Sequence, residues 1–112
     1  MFKVNKKADV NGTYLNGYIC ASYDELVTLF GTPCKSDGYK SSGEWRFVDD
    51  NGKAAYTIYD WKSTRLYDND QTLPTVKEFR QLKNQIFNIG GRGNIEYFQY
   101  WLCRQLSELR NK

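Results

Sequence analysis

The chain has 112 residues, 40% hydrophobic and 16% aromatic, with 26% charged residues and a formal net charge of +3. That length suits one ordinary core and is short for two, so a single domain over 1–112 is expected. The mild, interspersed charge argues against a dedicated duplex nucleic-acid binder, and no apolar run approaches the roughly 20 residues of a membrane span. Met1 to Lys7 also lacks the apolar stretch of a signal peptide, so the expectation is a soluble cytoplasmic protein with no membrane partner.

Residues 4–21 carry two short extended patterns around Asn11-Gly12 and Asn16-Gly17, with Tyr14, Tyr18 and Ile19 as expected packing residues. They read as a ribbon or hairpin. Ser22-Tyr23-Asp24-Glu25 has the spacing of a capping box, in which the Ser22 hydroxyl and the Glu25 carboxylate satisfy each other's backbone amides. A helix is predicted to Phe30, with Leu26, Leu29 and Phe30 on its buried face and Gly31 and Pro33 as its stop. Residues 35–42 are polar and glycine-bearing and read as a surface loop.

Next comes an aromatic-rich pair of strand patterns, 44–50 and 53–61, around Asn51-Gly52. Asn and Gly tolerate the positive φ of a two-residue type I′ turn. That turn would set Asp50 opposite Lys53, Val48 opposite Ala55, Phe47 opposite Tyr56, Arg46 opposite Thr57 and Trp45 opposite Ile58. One face then carries Trp45, Phe47, Tyr56 and Ile58. The other carries Glu44, Arg46, Val48, Ala55, Thr57, Tyr59 and Trp61.

Residues 63–72 have turn character and little periodicity, and read as the most mobile loop. Thr75-Val76-Lys77-Glu78 repeats the capping box after Pro74, and Val76, Phe79, Leu82 and Ile86 trace a helical stripe that should end near Asn84 or Gln85. A short strand at 86–89 leads to Gly90-Gly91-Arg92-Gly93. Asn94 can cap a final helix whose buried stripe is Ile95, Phe98, Leu102, Leu106 and Leu109. The order β-β-α-β-β-α-β-α predicts an α+β domain, a mainly antiparallel sheet with helices packed on one face.

The blocks Gly17-Tyr18-Ile19, Ala21 to Val27, Phe30-Gly31-Thr32-Pro33, Asp37-Gly38-Tyr39-Lys40, Glu44-Trp45, Gly52, Thr57 to Lys62 and Ile89-Gly90-Gly91 resemble a family of small proteins of tailed bacteriophages and large DNA viruses. The resemblance runs from about Asn11 to Gly91, with the blocks in the same order. Where that family has Trp-His-Ile-Gly-Gly, this chain has Phe87-Asn88-Ile89-Gly90-Gly91, without the histidine. The resemblance implies a viral setting, and for a small protein outside the virion it implies binding to a host component.

No motif names a reaction. With no histidine, the usual imidazole base and metal ligand are missing. Cys20, Cys34 and Cys103 are odd in number and lack C-x-x-C spacing, so they read as reduced, small buried hydrophobes. Asp49-Asp50 and Asp68-Asn69-Asp70 read as solvated turns, the latter without the Gly and distal Glu of a calcium loop. No cofactor is expected.

Two places could hold a partner. Arg46, Tyr59, Trp61, Lys62 and Arg65 set rings beside cations, which suits packing in the core, contact with a protein, or stacking on single-stranded nucleic acid. Gly90, Gly91, Arg92 and Gly93 lie between a strand and a helix N-terminus, where plain turn chemistry competes with capture of a nucleotide phosphate. The leading expectation is a non-enzymatic protein that binds and inhibits a host protein in the host cytoplasm, with anti-defence activity of the anti-CRISPR kind. The alternatives are a sponge for a nucleotide signal and a weak binder of single-stranded nucleic acid.

Overall fold

The computed structural model describes residues 2–34, 43–60 and 85–112. The expectations for 35–42, for 63–72, for Asp68 to Asp70, for the helix beginning at Thr75, and for Trp61, Lys62 and Arg65 lie outside them. The described elements are β1 (Phe2–Val4), β2 (Tyr14–Ala21), α1 (Tyr23–Phe30), β3 (Glu44–Asp49), β4 (Ala55–Tyr59), β5 (Gln85–Gly91) and α2 (Glu96–Arg110). The strands form one antiparallel sheet in the order β1-β3-β4-β5-β2, and the fold is α+β.

The β3–β4 hairpin has the expected register, with Trp45 opposite Ile58, Phe47 opposite Tyr56 and Val48 opposite Ala55. Its turn is wider than expected. The Gly52 amide donates to the Asp49 carbonyl at 3.0 Å, and the Asp49 carboxylate accepts from the amides of Lys53 and Ala54 at 3.0 and 3.3 Å. Asp49 then pairs with Ala54 through its own amide, leaving a four-residue loop, 50–53, instead of a two-residue one. Gly52 supplies a left-handed step, at φ 70°. The Asp49 carboxylate binds both returning amides, which the tighter turn would not allow.

The capping box forms as expected. Ser22 Oγ accepts from the Glu25 amide at 3.0 Å and Glu25 Oε1 accepts from the Ser22 amide at 2.9 Å. Helix α1 stops at Gly31, whose φ of 84° excludes most residues, and the buried Trp45 indole donates to the Gly31 carbonyl at 2.8 Å.

Both helices cover the face of Trp45, Phe47, Ile58, Phe87 and Ile89. Phe98 is fully buried, stacked on Tyr56 at 4.5 Å and tilted against Phe47 at 5.1 Å. Phe30 meets Phe47 edge-on at 4.9 Å, and Trp101 fills the remaining wall beside Phe2 and Phe30. Ile95 sits against two glycines: a β-carbon on Gly17 or Gly91 would lie 2.6 or 2.7 Å from its side chain. The absent side chains there let α2 lie close on the sheet.

The expected N-terminal hairpin does not form. β1 and β2 are the two opposite edges of the sheet, four strand spacings apart, about 19 Å. The nine residues between them reach up to about 30 Å, so they must cross a face, and the helices already occupy one. The strap 5–13 therefore crosses the other. Its Asn5 amide donates to the Arg46 carbonyl at 2.9 Å, and Ala8 is buried against the sheet. Asn16-Gly17 is no turn either: the register shifts between Leu15 and Gly17, making a bulge inside β2.

Candidate interaction surface

The outer face follows from register. One row runs Leu15, Gly90, Thr57, Arg46, and the next runs Tyr18, Asn88, Tyr59, Glu44, with Cys20 beside Ile86 beyond it. Strap and sheet bury Val48, Ala55 and Thr57 in the half nearest β1. The half nearest β2 is open: Leu15, Tyr18 and Ile86 are 46, 56 and 62% exposed.

Arg46 and Tyr59 share this face as expected, and α2 does not cover it. The Arg46 guanidinium is held by the Glu44 carboxylate, at 3.0 Å from Nε and 2.7 Å from Nη2, and donates to the Ala8 carbonyl at 3.3 Å. It anchors the strap. Tyr59 is half-buried between the two halves. Burial, with the Glu44 carboxylate and the Tyr18 phenol nearby, pushes its hydroxyl above the ordinary tyrosine value. Tyr59 is therefore a neutral ring at physiological pH.

Gly90 and Gly91 belong to β5, not to a glycine-rich turn. Both are buried and paired on two sides, Gly90 with Leu15 and Thr57, Gly91 with Tyr14 and Tyr56. Their backbone groups thus serve the ladder. Arg92 donates from Nε to the Asn11 carbonyl at 2.8 Å and from Nη2 to the Asp9 carbonyl at 2.5 Å, with the Asp9 carboxylate 3.9 Å away. It clasps the strap at the end opposite Arg46. The Gly93 carbonyl accepts from the Asn16 side-chain amide, and Asn94 Oδ1 accepts from the Glu96 amide at 2.8 Å, but the N-cap of α2 is Ile95, one residue later than expected, and carries no side-chain cap bond.

Several exposed groups differ from expectation. Tyr14 and Tyr18, expected to pack, are 55 and 56% exposed, while Ile19 is buried. The alternation explains Tyr18, since Ile19 and Ala21 point to the helices while Tyr18 and Cys20 point away. Cys20 and Cys103 are exposed and Cys34 intermediate, so none is a buried hydrophobe. Ile86 lies on β5, in keeping with the short strand expected at 86–89 and not with the end of the helical stripe also expected to reach it. Among the described residues, no helix is long and apolar enough to cross a membrane.

No protein-family model matches the chain, and no curated protein is significantly similar to it.

Proposed function

We propose that the protein is a non-enzymatic, phage-encoded inhibitor that binds a host protein in the host cytoplasm, with a component of a defence system such as CRISPR interference as the target class. The supporting observation is the open half of the outer face, where Leu15, Tyr18 and Ile86 are exposed around the half-buried ring of Tyr59. Rings and branched aliphatics on a rigid sheet, next to a neutral phenol, are the material of a protein-binding hot spot. The viral setting rests on the ordered blocks described above.

The experiment is affinity capture from the host with mass spectrometry, followed by binding measurements on the captured protein. Replacing both Tyr18 and Ile86 by Ala should weaken binding by at least about 2 kcal/mol, because both side chains are already exposed and their loss leaves the core intact. Circular dichroism reports the fold in parallel. A folded double variant that binds with wild-type affinity would refute this surface. Calorimetry of Arg92→Ala against cyclic and linear dinucleotides addresses the sponge reading, which requires heat in the wild type and none in the variant.

A further inference from the structure

Among the described residues, β2 is an eight-residue edge strand whose one neighbour in the sheet is β5. An edge presents unpaired amides and carbonyls to any other strand, and proteins blunt it with charge, proline or a covering element. The sequence of β2, Tyr14-Leu15-Asn16-Gly17-Tyr18-Ile19-Cys20-Ala21, contains no charged residue and no proline. The bulge between Leu15 and Gly17 interrupts the edge near its start, and from Gly17 to Ala21 its protection comes from elsewhere in the chain. Gln99 Nε2 donates to the Tyr18 carbonyl at 2.9 Å, and Arg110 Nη2 donates to the Cys20 carbonyl at 3.2 Å. Both side chains project from α2, one near its start and one at its end. The carbonyls they take belong to alternate residues, the spacing at which a pairing strand would bond an edge.

We propose that Gln99 and Arg110 are a lock on this edge, and that what they exclude is β2 of a second copy of the chain. A strand laid antiparallel on itself about a two-fold axis is its own complement, so an uncharged edge of this length offers self-pairing as its default. The exposed Tyr14, Leu15 and Tyr18 would gain cover in that pairing. Arg110 is held in place by Glu25, through Nε to Oε2 at 2.7 Å and Nη2 to Oε1 at 3.0 Å, so the lock is fastened to the α1 capping box. This inference does not depend on the identity of the host target.

The test is sedimentation of the wild type and of Gln99→Ala/Arg110→Ala over a concentration series, with circular dichroism to verify the fold. The wild type should remain monomeric, and the double variant should approach twice the monomer mass. Adding Tyr18→Lys to the double variant should return it to monomer, since a lysine near the two-fold axis sets like charges together. Gln99→Ala alone leaves the Arg110–Glu25 pair intact and should shift the mass in the same direction, which keeps the test available if the double variant unfolds. The lock is refuted by folded variants that sediment as the wild type does, by association that persists with Tyr18→Lys, or by a wild type already paired through β2.

Discussion

The two faces of the sheet are closed by different means. The inner face meets α1 and α2 through a continuous set of rings, with Phe98, Phe47 and Phe87 essentially without solvent exposure. The outer face is crossed by a nine-residue strap that buries one side chain, Ala8, and is held by the Asn5 amide on the Arg46 carbonyl and by hydrogen bonds from the Arg46 and Arg92 side chains to strap carbonyls. Apolar burial contributes about 25 cal/mol per Å², whereas an exposed hydrogen bond contributes about 1 kcal/mol net. Cooperativity therefore resides in the inner layer. The outer layer can open locally while the inner one stays intact.

The largest expected effect lies in the inner layer. Phe98→Ala should cost about 3–5 kcal/mol, because it removes a ring packed against Tyr56, Phe47, Phe2 and Trp101. Against a total of about 5–15 kcal/mol, that is about a third to a half of a mid-range stability, and the urea midpoint should fall by a similar fraction. A midpoint lowered only slightly would mean that the ring cluster is not the centre of stability.

A smaller and local effect is expected in the outer layer. Arg92→Ala should raise amide exchange in the strap, at Ala8, Asn11 and Thr13, by an amount corresponding to about 1 kcal/mol. The thermal midpoint should hardly move. Exchange that rises equally in β4 and α2 would show that strap and core open together, and the contrast between the faces would fall.

The smallest effect concerns the ion pair that ties α2 to α1. The Arg110 guanidinium holds the Glu25 carboxyl below the ordinary glutamate value, helped by the Ser22 amide and opposed by burial. Because the folded value is the lower one, the stabilisation is complete above the ordinary glutamate range, near about pH 4.3, and is lost as pH falls through the folded value. Arg110 is 48% exposed, so solvent screening limits the gain to under about 1 kcal/mol. Urea midpoints of the wild type and Glu25→Gln should differ slightly at neutral pH and converge in acid. A gap that persists in acid would assign the difference to the capping box alone.

The three Asn-Gly pairs show how far local chemistry can be read. At 51–52 the flanking strands alternate in phase, and the hairpin register is legible although Asp49 widens the loop. At 11–12 the same pair turns a strap between elements that never meet. At 16–17 the glycine serves α2, since Ile95 occupies the space its side chain would fill. The candidate surface was half legible: Arg46 and Tyr59 were placed on the correct face, but the open patch of Leu15, Tyr18 and Ile86 depends on where the strap stops. No pattern within 14–21 states which strand β2 adjoins.

What the sequence determined by itself is local or short in range: the capping box of α1, the stripe of α2 from Ile95 to Leu106, the β3–β4 pairing and the α+β class. These follow from periodicity and from turn and cap chemistry, which act over a few residues. Tertiary structure alone decided the placing of β1 and β2 at opposite edges, the strap that this forces across the outer face, and the arginines drawn into holding it. Strand order is set by competition among pairings far apart in the chain, and a residue such as Arg92 reads as a free cation until the carbonyls of Asp9 and Asn11 are brought beside it.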